Sequence, residues 1–387
     1  MDAGRLRAWW WKKQGLDGSL ARTGMGGILA NTGWARSVGG AGPYATLFAR
    51  CGATNKDVDA AAARMEVYEL PSARGCTYVL GAEDFAFGLE CAQAADKSAE
   101  LKVAMKLGAT EAEIAKLGDA VVKELDKGEK TPEELREALG KLVRNFGPEG
   151  VKKGLTTTLP VALGRLQLAG EIRRVPLNGR FDTQRYRYAR WKPGPFAKKP
   201  RPVAEVMRDL ARRYFAWTGP ATMEEFQRFS GVGVKAAKDA VEGLGLVEVE
   251  KGSGRWLLPE DADAFAKFTA PKEPRYSLLS SLDGLFLLRR DAAGLADEVD
   301  LPRLEGHLSD LESNAIVDRG RVIGLWEFDP EAGEIVWASW VKVEKALKEK
   351  VARTEAWARE LGDVRSFSLD SPKSRKPRLN ALRKAAN

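Results

Sequence analysis

Arg36 and Ser37 stand at the head of a glycine-rich run, Gly39, Gly40 and Gly42, that ends in Pro43. They offer a charged donor and a neutral hydroxyl side by side. Glycine lets the backbone turn sharply or approach a ligand closely. Proline suits the first turn of a helix, and the free amides of a helix start attract phosphate. The chemistry on offer here is anion binding. The alternative is a structural loop in which Arg36 forms an internal salt bridge.

The rest of the chain narrows the choice. His307 is the single histidine among 387 residues and reads as a surface or packing residue. Nucleophile systems that depend on a neighbouring histidine, and metal sites that need several, are therefore not expected. No GxxxxGK[ST] run and no well-placed GxGxxG is present, so no nucleotide cofactor is expected. Cys51, Cys76 and Cys91 have no CxxC spacing, which predicts neither zinc nor a disulfide framework and fits a reducing compartment. Residues 1–15 carry charges on both sides of Trp9-Trp10-Trp11 and do not read as a signal peptide. No run is long and apolar enough to span a membrane, so the cytoplasm is expected. The net charge of +8 suits nucleic acid as a partner without requiring it.

Several basic residues lie where a DNA backbone can meet them. Residues 156–170 form an amphipathic pattern with Arg165 pointing away from the apolar face. In the strand pattern 180–191, alternation puts Arg185 and Arg187 on one side and Tyr186 and Tyr188 on the other. Basic side chains with interleaved aromatics suit a ribbon that grips a backbone; a strand edge kept soluble by arginine is the bland counterpart. Lys235 and Lys238 fall on the outer face of a short helix, opposite Val234, Ala237, Val241 and Leu244. Arg319 and Arg321 flank Gly320 in a hairpin turn.

These residues need elements to position them. Residues 202–258 read as helix, turn, helix, then hairpin, the winged-helix pattern, in which the third helix of a DNA binder enters the major groove. Thr222 and Glu225 spell a capping box, and Gly231 ends the second helix. Use of this module for protein packing stays open, because Glu248 and Glu250 on its ribbon repel phosphate. Helices are expected at 5–14, 21–31, 55–69 and from 81–84, with a strand at 75–80; this first module resembles another winged helix. Residues 94–147 read as helical with breaks at Gly108, Gly118 and Gly128, and 192–202 as a stiff linker. Strands are expected at 285–289, 315–318, 322–328 and 334–340, closely spaced as in a small barrel. A helix at 341–361, with Val343, Leu347, Val351, Trp357 and Leu361 inward, precedes a mobile basic tail at 366–387. The fold class expected is α+β: tandem winged-helix modules, then a small antiparallel β-barrel and a C-terminal helix. The units are 1–93, 94–192, 202–271, 275–345 and 346–387.

This order of parts resembles the AlkZ-like (YcaQ-like) winged-helix DNA glycosylases over most of the chain. The resemblance rests on Pro43-Tyr44 followed by Ala49-Arg50, on the strand from Arg74-Gly75 to Leu80, and on Arg213-Tyr214 with Gly219-Pro220-Ala221-Thr222. It rests also on Leu282-Asp283 through Arg290-Asp291 and on residues 318–326. It implies a monomeric protein that binds double-stranded DNA and hydrolyses the N-glycosidic bond of alkylated bases without metal or cofactor. The family's Gln-x-Gln or Gln-x-Asp pair is missing, since its neighbourhood reads Trp34-Ala-Arg-Ser-Val38, and its strand histidine is replaced by Tyr78 or a neighbour. No Asp or Glu lies between Gly18 and Lys56. Arginine has no acceptor and opposes a developing cation, so Arg36 is a phosphate ligand rather than a base. Ser37 at most positions water, and a carboxylate must come from elsewhere, with Asp283 the candidate. A non-catalytic winged-helix DNA-binding or regulatory protein, or a scaffold whose modules contact protein, remains the alternative.

Overall fold

The computed structural model describes residues 2–96, 98–183, 185–196, 200–304, 309–367 and 369–385. His307 lies outside them.

The first helix, α1 (Ala3–Lys13), is capped by Asp2, whose carboxylate accepts from the Arg5 amide at 3.0 Å. Three consecutive tryptophans sweep around a helix rather than along one face. Here all three are buried because α1 is packed on more than one side. Trp9 and Trp10 donate to the carbonyls of Gly219 (2.8 Å) and Pro220 (3.0 Å), and the Arg289 guanidinium lies 3.8 Å from the Trp10 ring centre.

Helix α2 (Gly24–Thr32) leads to the short strand β1 (Ala35–Arg36). The glycine-rich run follows, and Pro43 lies in the first turn of α3 (Gly42–Cys51). This helix start does not face a ligand. The Ala41 amide donates to the Arg365 carbonyl at 2.7 Å, and a Cβ on Gly40 would come within 2.4 Å of that oxygen. Gly40 lets a later segment lie against the turn, and the Ala41 amide expected to be free for phosphate is already used. Helix α4 (Asn55–Ala63) opens on a Thr54–Asp57 capping box and is shorter than expected. Residues that read as its last turn form β2 (Val67–Pro71), which pairs antiparallel with β3 (Thr77–Gly81). Strand pairing outweighs helical periodicity there. The sheet order is β1-β3-β2, and α5 (Phe85–Ala95) packs beside it.

A second module begins with α6 (Ala99–Lys106) and α7 (Glu111–Leu125). The expected break at Gly118 does not occur. The glycine is buried inside α7, and a Cβ there would meet Leu166 at 3.8 Å, ordinary packing distance. Helices α8 (Pro132–Leu139), α9 (Gly147–Lys152) and α10 (Leu159–Leu168) complete the bundle. Leu117, Val121, Leu135, Leu163 and Leu166 form its core. The ribbon β4 (Ile172–Pro176) and β5 (Tyr186–Arg190) closes the module.

The central winged helix matches its pattern. It comprises α11 (Val203–Thr218), α12 (Met223–Ser230), α13 (Val234–Val241) and the ribbon β6 (Val247–Glu248) with β7 (Trp256–Leu257). The Thr222–Glu225 capping box forms, and Gly231 ends α12 at a φ of 76°. Tyr214, Phe215, Phe226 and Phe229 stack in its core, and α14 (Pro259–Lys267) follows.

The last module corrects the expected barrel. Among the described residues, β8 (Tyr276–Leu279), β9 (Asn314–Asp318), β10 (Arg321–Asp329) and β11 (Glu334–Ser339) form an open antiparallel sheet in the order β11-β10-β9-β8. No sheet closes on itself; α16 (Lys345–Leu361) and α17 (Pro372–Ala385) pack on it instead. The expected strand at 285–289 is the helical turn α15 (Gly284–Leu287), because Asp283 caps it through the Leu285 amide at 3.0 Å. Leu347, Val351, Trp357 and Leu361 pack inward on α16, but Val343 precedes the helix and is exposed. The expected mobile tail is largely α17, held by a fully buried arginine. Arg375 pairs with Asp363 at 2.7 Å and Asp370 at 3.3 Å, while Arg378 reaches Glu327 at 2.6 Å and Asp370 at 3.1 Å. No helix among the described residues is long and apolar enough to cross a membrane.

Removing one partner of a buried ion cluster strands the others without solvent. Arg375→Ala should therefore destabilise the protein by about 3–5 kcal/mol, read as a lower urea midpoint. An unchanged midpoint would show that α17 contributes nothing to the fold.

Candidate nucleic-acid interface

Where the first three modules meet, the structure opens a cleft of about 1450 Å³. One wall is the tip of the β2–β3 hairpin, another is α10, and a third is the turn between α12 and α13. The hairpin tip needs left-handed backbone at Arg74 (φ 59°) and Gly75 (φ 68°). Arg74 then lies along Gly231, where a Cβ would come within 2.9 Å of its Cγ, and donates to the Arg228 carbonyl at 3.1 Å. Gly231 is thus required twice, by its φ and by this contact. Five arginines line the cleft, Arg74, Arg165, Arg174, Arg228 and Arg290, against the acids Asp96, Glu100 and Glu111. Arg228 also pairs with Glu224 at 2.6 Å and Arg290 with Asp310 at 3.4 Å. Arg165 is exposed with no ion pair among the described residues.

A second hollow of about 620 Å³ adjoins the cleft, sharing Arg174 and Tyr188 with it and lined also by Arg185 and Tyr186. Arg187 is exposed on the same ribbon.

The other expected residues go elsewhere. Lys235 and Lys238 are exposed on α13 but do not line the cleft. Arg319 turns inward to Asp318 at 2.7 Å and to the carbonyls of Pro271 (2.8 Å) and Lys272 (2.7 Å). Arg321 pairs with Asp297 at 2.6 Å. Neither lines the cleft or the hollow beside it. Asp283 is fully buried, with both oxygens engaged by Arg50 at 2.7 and 2.9 Å, and it holds the start of α15. Those bonds account for it as an anchor between the last module and α3.

Ser37 and Arg36 lie behind the cleft wall. Arg36 donates to the Thr77 carbonyl at 2.9 Å and its guanidinium stands 5.3 Å from the Tyr78 ring centre. Thr77 itself lines the cleft. Ser37 is buried, and its hydroxyl donates to the carboxyl of Glu69. Sequence reasoning missed Glu69 because residues 55–69 read as helix. The available signal was the run Val67-Tyr-Glu-Leu70, which as a strand turns Glu69 to the face opposite its apolar neighbours. Ala35 and Glu69 both pair with Val79 across the sheet, so Ser37, two residues on, shares their face.

Glu69 is only 4% exposed. Burial raises its pKa above the ordinary value; the Ser37 hydroxyl, the Tyr186 hydroxyl and the charges of Arg174 and Arg36 pull partly the other way. The same burial, with the nearby carboxyl, raises Tyr186. The Tyr186 hydroxyl acts on the Glu69 carboxyl, while Oε2 is buried with no hydrogen bond of ordinary geometry. The Arg174 guanidinium lies 5.3 Å from the Tyr186 ring centre, and its Nε is also buried and unpaired.

The family model of DNA glycosylase AlkZ-like proteins matches residues 23–367. The chain belongs to that family. This AlkZ-like chain superposes on the Streptomyces sahachiroi DNA glycosylase AlkZ with a TM-score of 0.70, covering 94% of this chain and 98% of that one. Sequence identity between the two is 18%, so what they share is the fold. Comparison with curated proteins gives no match.

The raised pKa of Glu69 has a sign. The folded chain keeps this proton above pH 4.5, where the unfolded chain loses it, so stability drains away as pH rises from 4.5 towards the folded pKa. Glu69→Gln has no such proton to lose. Its stability relative to wild type should improve as pH rises, in urea unfolding from about pH 5 to 8. A difference that is flat or runs the other way would contradict the assignment.

Proposed function

We propose that the protein binds double-stranded DNA in the arginine-lined cleft and acts there as a DNA-repair glycosylase, hydrolysing the N-glycosidic bond of alkylated bases. The observation that carries this reading is the cleft itself. The turn of a winged helix, a β-hairpin tip and the outward arginine of α10 converge on it. Phosphates favour such clusters, because arginine meets them with paired donors and releases the counterions of the duplex.

The reaction fits the family and the neighbourhood. A base alkylated at N7 already carries positive charge, so it leaves as a neutral group while the sugar develops cationic character. A carboxylate near that centre stabilises it and orients water. The cover over Ser37 and Glu69 favours a second reading, a DNA-binding protein without chemistry.

Binding should weaken with salt, with a logarithmic slope of about 0.9 per phosphate neutralised. Arg165→Ala and Arg174→Ala should each lower that slope by about one and weaken binding alike on unrelated sequences. Flat or absent binding in a gel-shift series would rule out the DNA reading. For the hydrolase, duplex carrying N7-methylguanine is incubated with the protein and then heated. Strand breaks above the control are expected; their absence would leave only the binding protein.

A further inference from the structure

We propose that Glu69 is the general base of this site, with Ser37 and Tyr186 as the residues that position its carboxyl. The inference rests on the glycosylase reading and names the group that reading lacks. The end of strand β1 and the residue after it, Arg36 and Ser37, stand where the Gln-x-Gln or Gln-x-Asp pair is expected from the resemblance. Strand β2, on the other side of β3 in the same sheet, supplies the missing acceptor.

Three observations support this. The Ser37 hydroxyl donates to Oε1 of Glu69, which orients the carboxyl and leaves Oε2 without a partner in a buried position. A buried acceptor with an unused lone pair costs free energy unless something is there to donate to it, and water does so readily. Glu69 itself lines neither hollow, but two of its neighbours do reach open space. Tyr186 and Arg174 both act on its carboxyl, and both line the smaller hollow beside the cleft. Finally, burial moves the carboxyl towards the range in which a general base works near neutral pH. The two hydroxyls and two guanidinium groups around it keep the charged form attainable.

The step balances. Glu69, as carboxylate, takes one proton from water. The water oxygen forms a bond to the sugar C1′. The C1′–N9 bond breaks, and its electron pair leaves with the cationic alkylated base, which departs neutral. Arg174, at the boundary of both hollows, is placed to hold a flanking phosphate rather than to take part in proton transfer.

The test compares wild type, Glu69→Gln, Ser37→Ala and Tyr186→Phe in single-turnover release of N7-methylguanine from a duplex between about pH 5 and 9. Affinity for the same duplex is measured by fluorescence anisotropy. Release by Glu69→Gln should fall by roughly 10²–10⁴-fold with affinity held within about threefold. The wild-type rate should fall away on the acid side. That limb should move to higher pH in Ser37→Ala and Tyr186→Phe, which remove hydroxyls that favour the charged carboxylate; a packing role would not move it. Release by Glu69→Gln within about threefold of wild type would overturn the inference and leave the glycosylase reading intact. A wild type that binds duplex but releases no base would overturn both, leaving DNA binding. If Glu69→Gln does not fold, the position of the acid limb in the other two variants decides: a shift supports the inference and no shift overturns it.

Discussion

Arg74 lies against Gly231 because neither position tolerates an ordinary arrangement. The hairpin tip turns through two consecutive left-handed residues, and the winged-helix turn presents a residue without a side chain to receive it. Interiors and interfaces pack at crystal-like density, so one Cβ at this contact would force a backbone to move. The contact joins the sheet that carries Glu69 to the helix that carries Gln227 and Arg228 and to the turn that carries Val232. The cleft is the space left between them once that junction is made. Its arginines owe their convergence to this one steric fit more than to any attraction among themselves, since like charges repel.

A second junction works by similar means on the far side of the winged helix. The tryptophans of α1 reach the chain reversal after α11, and buried Arg289 stacks on Trp10 and donates to the Thr218 and Pro220 carbonyls. Desolvation draws Arg289 down to about 10, which still leaves it charged at neutral pH. A guanidinium tolerates such a place because it is weakly hydrated and offers a planar face to the indole. Asp283 and Arg50 form a third junction, between α3 and the last module. Arg50, Asp283 and Gly219-Pro220, which are among the residues that carry the family resemblance, thus sit at seams between modules.

Much of the fold was legible because it is written locally. The capping box at Thr222 marks a real helix start, and the glycine at 231 marks a real end. What was not legible depends on partners distant in sequence. Residues 67–70 form a strand because β3 is there to pair with, and Gly118 stays helical because Leu166 packs over it. Residues 285–287 coil because Asp283 caps them. The barrel was a misreading of strand spacing, which does not say whether the edges meet. For the site, Arg165 and the ribbon arginines were visible from their outward faces. Arg319 and Arg321 looked equally available, and only the fold shows their carboxylate partners. Glu69 was hidden by the misplaced helix end.

The bond from Ala41 to the carbonyl of Arg365 ties an early turn to a segment more than three hundred residues later. Translation proceeds at roughly 5–20 residues per second, so the ribosome would expose the glycine-rich turn tens of seconds before its cover is made. Until then the nascent N-terminal unit would carry an open backbone donor and an unroofed apolar surface. Completion of the first module would therefore wait for a segment made more than three hundred residues after it.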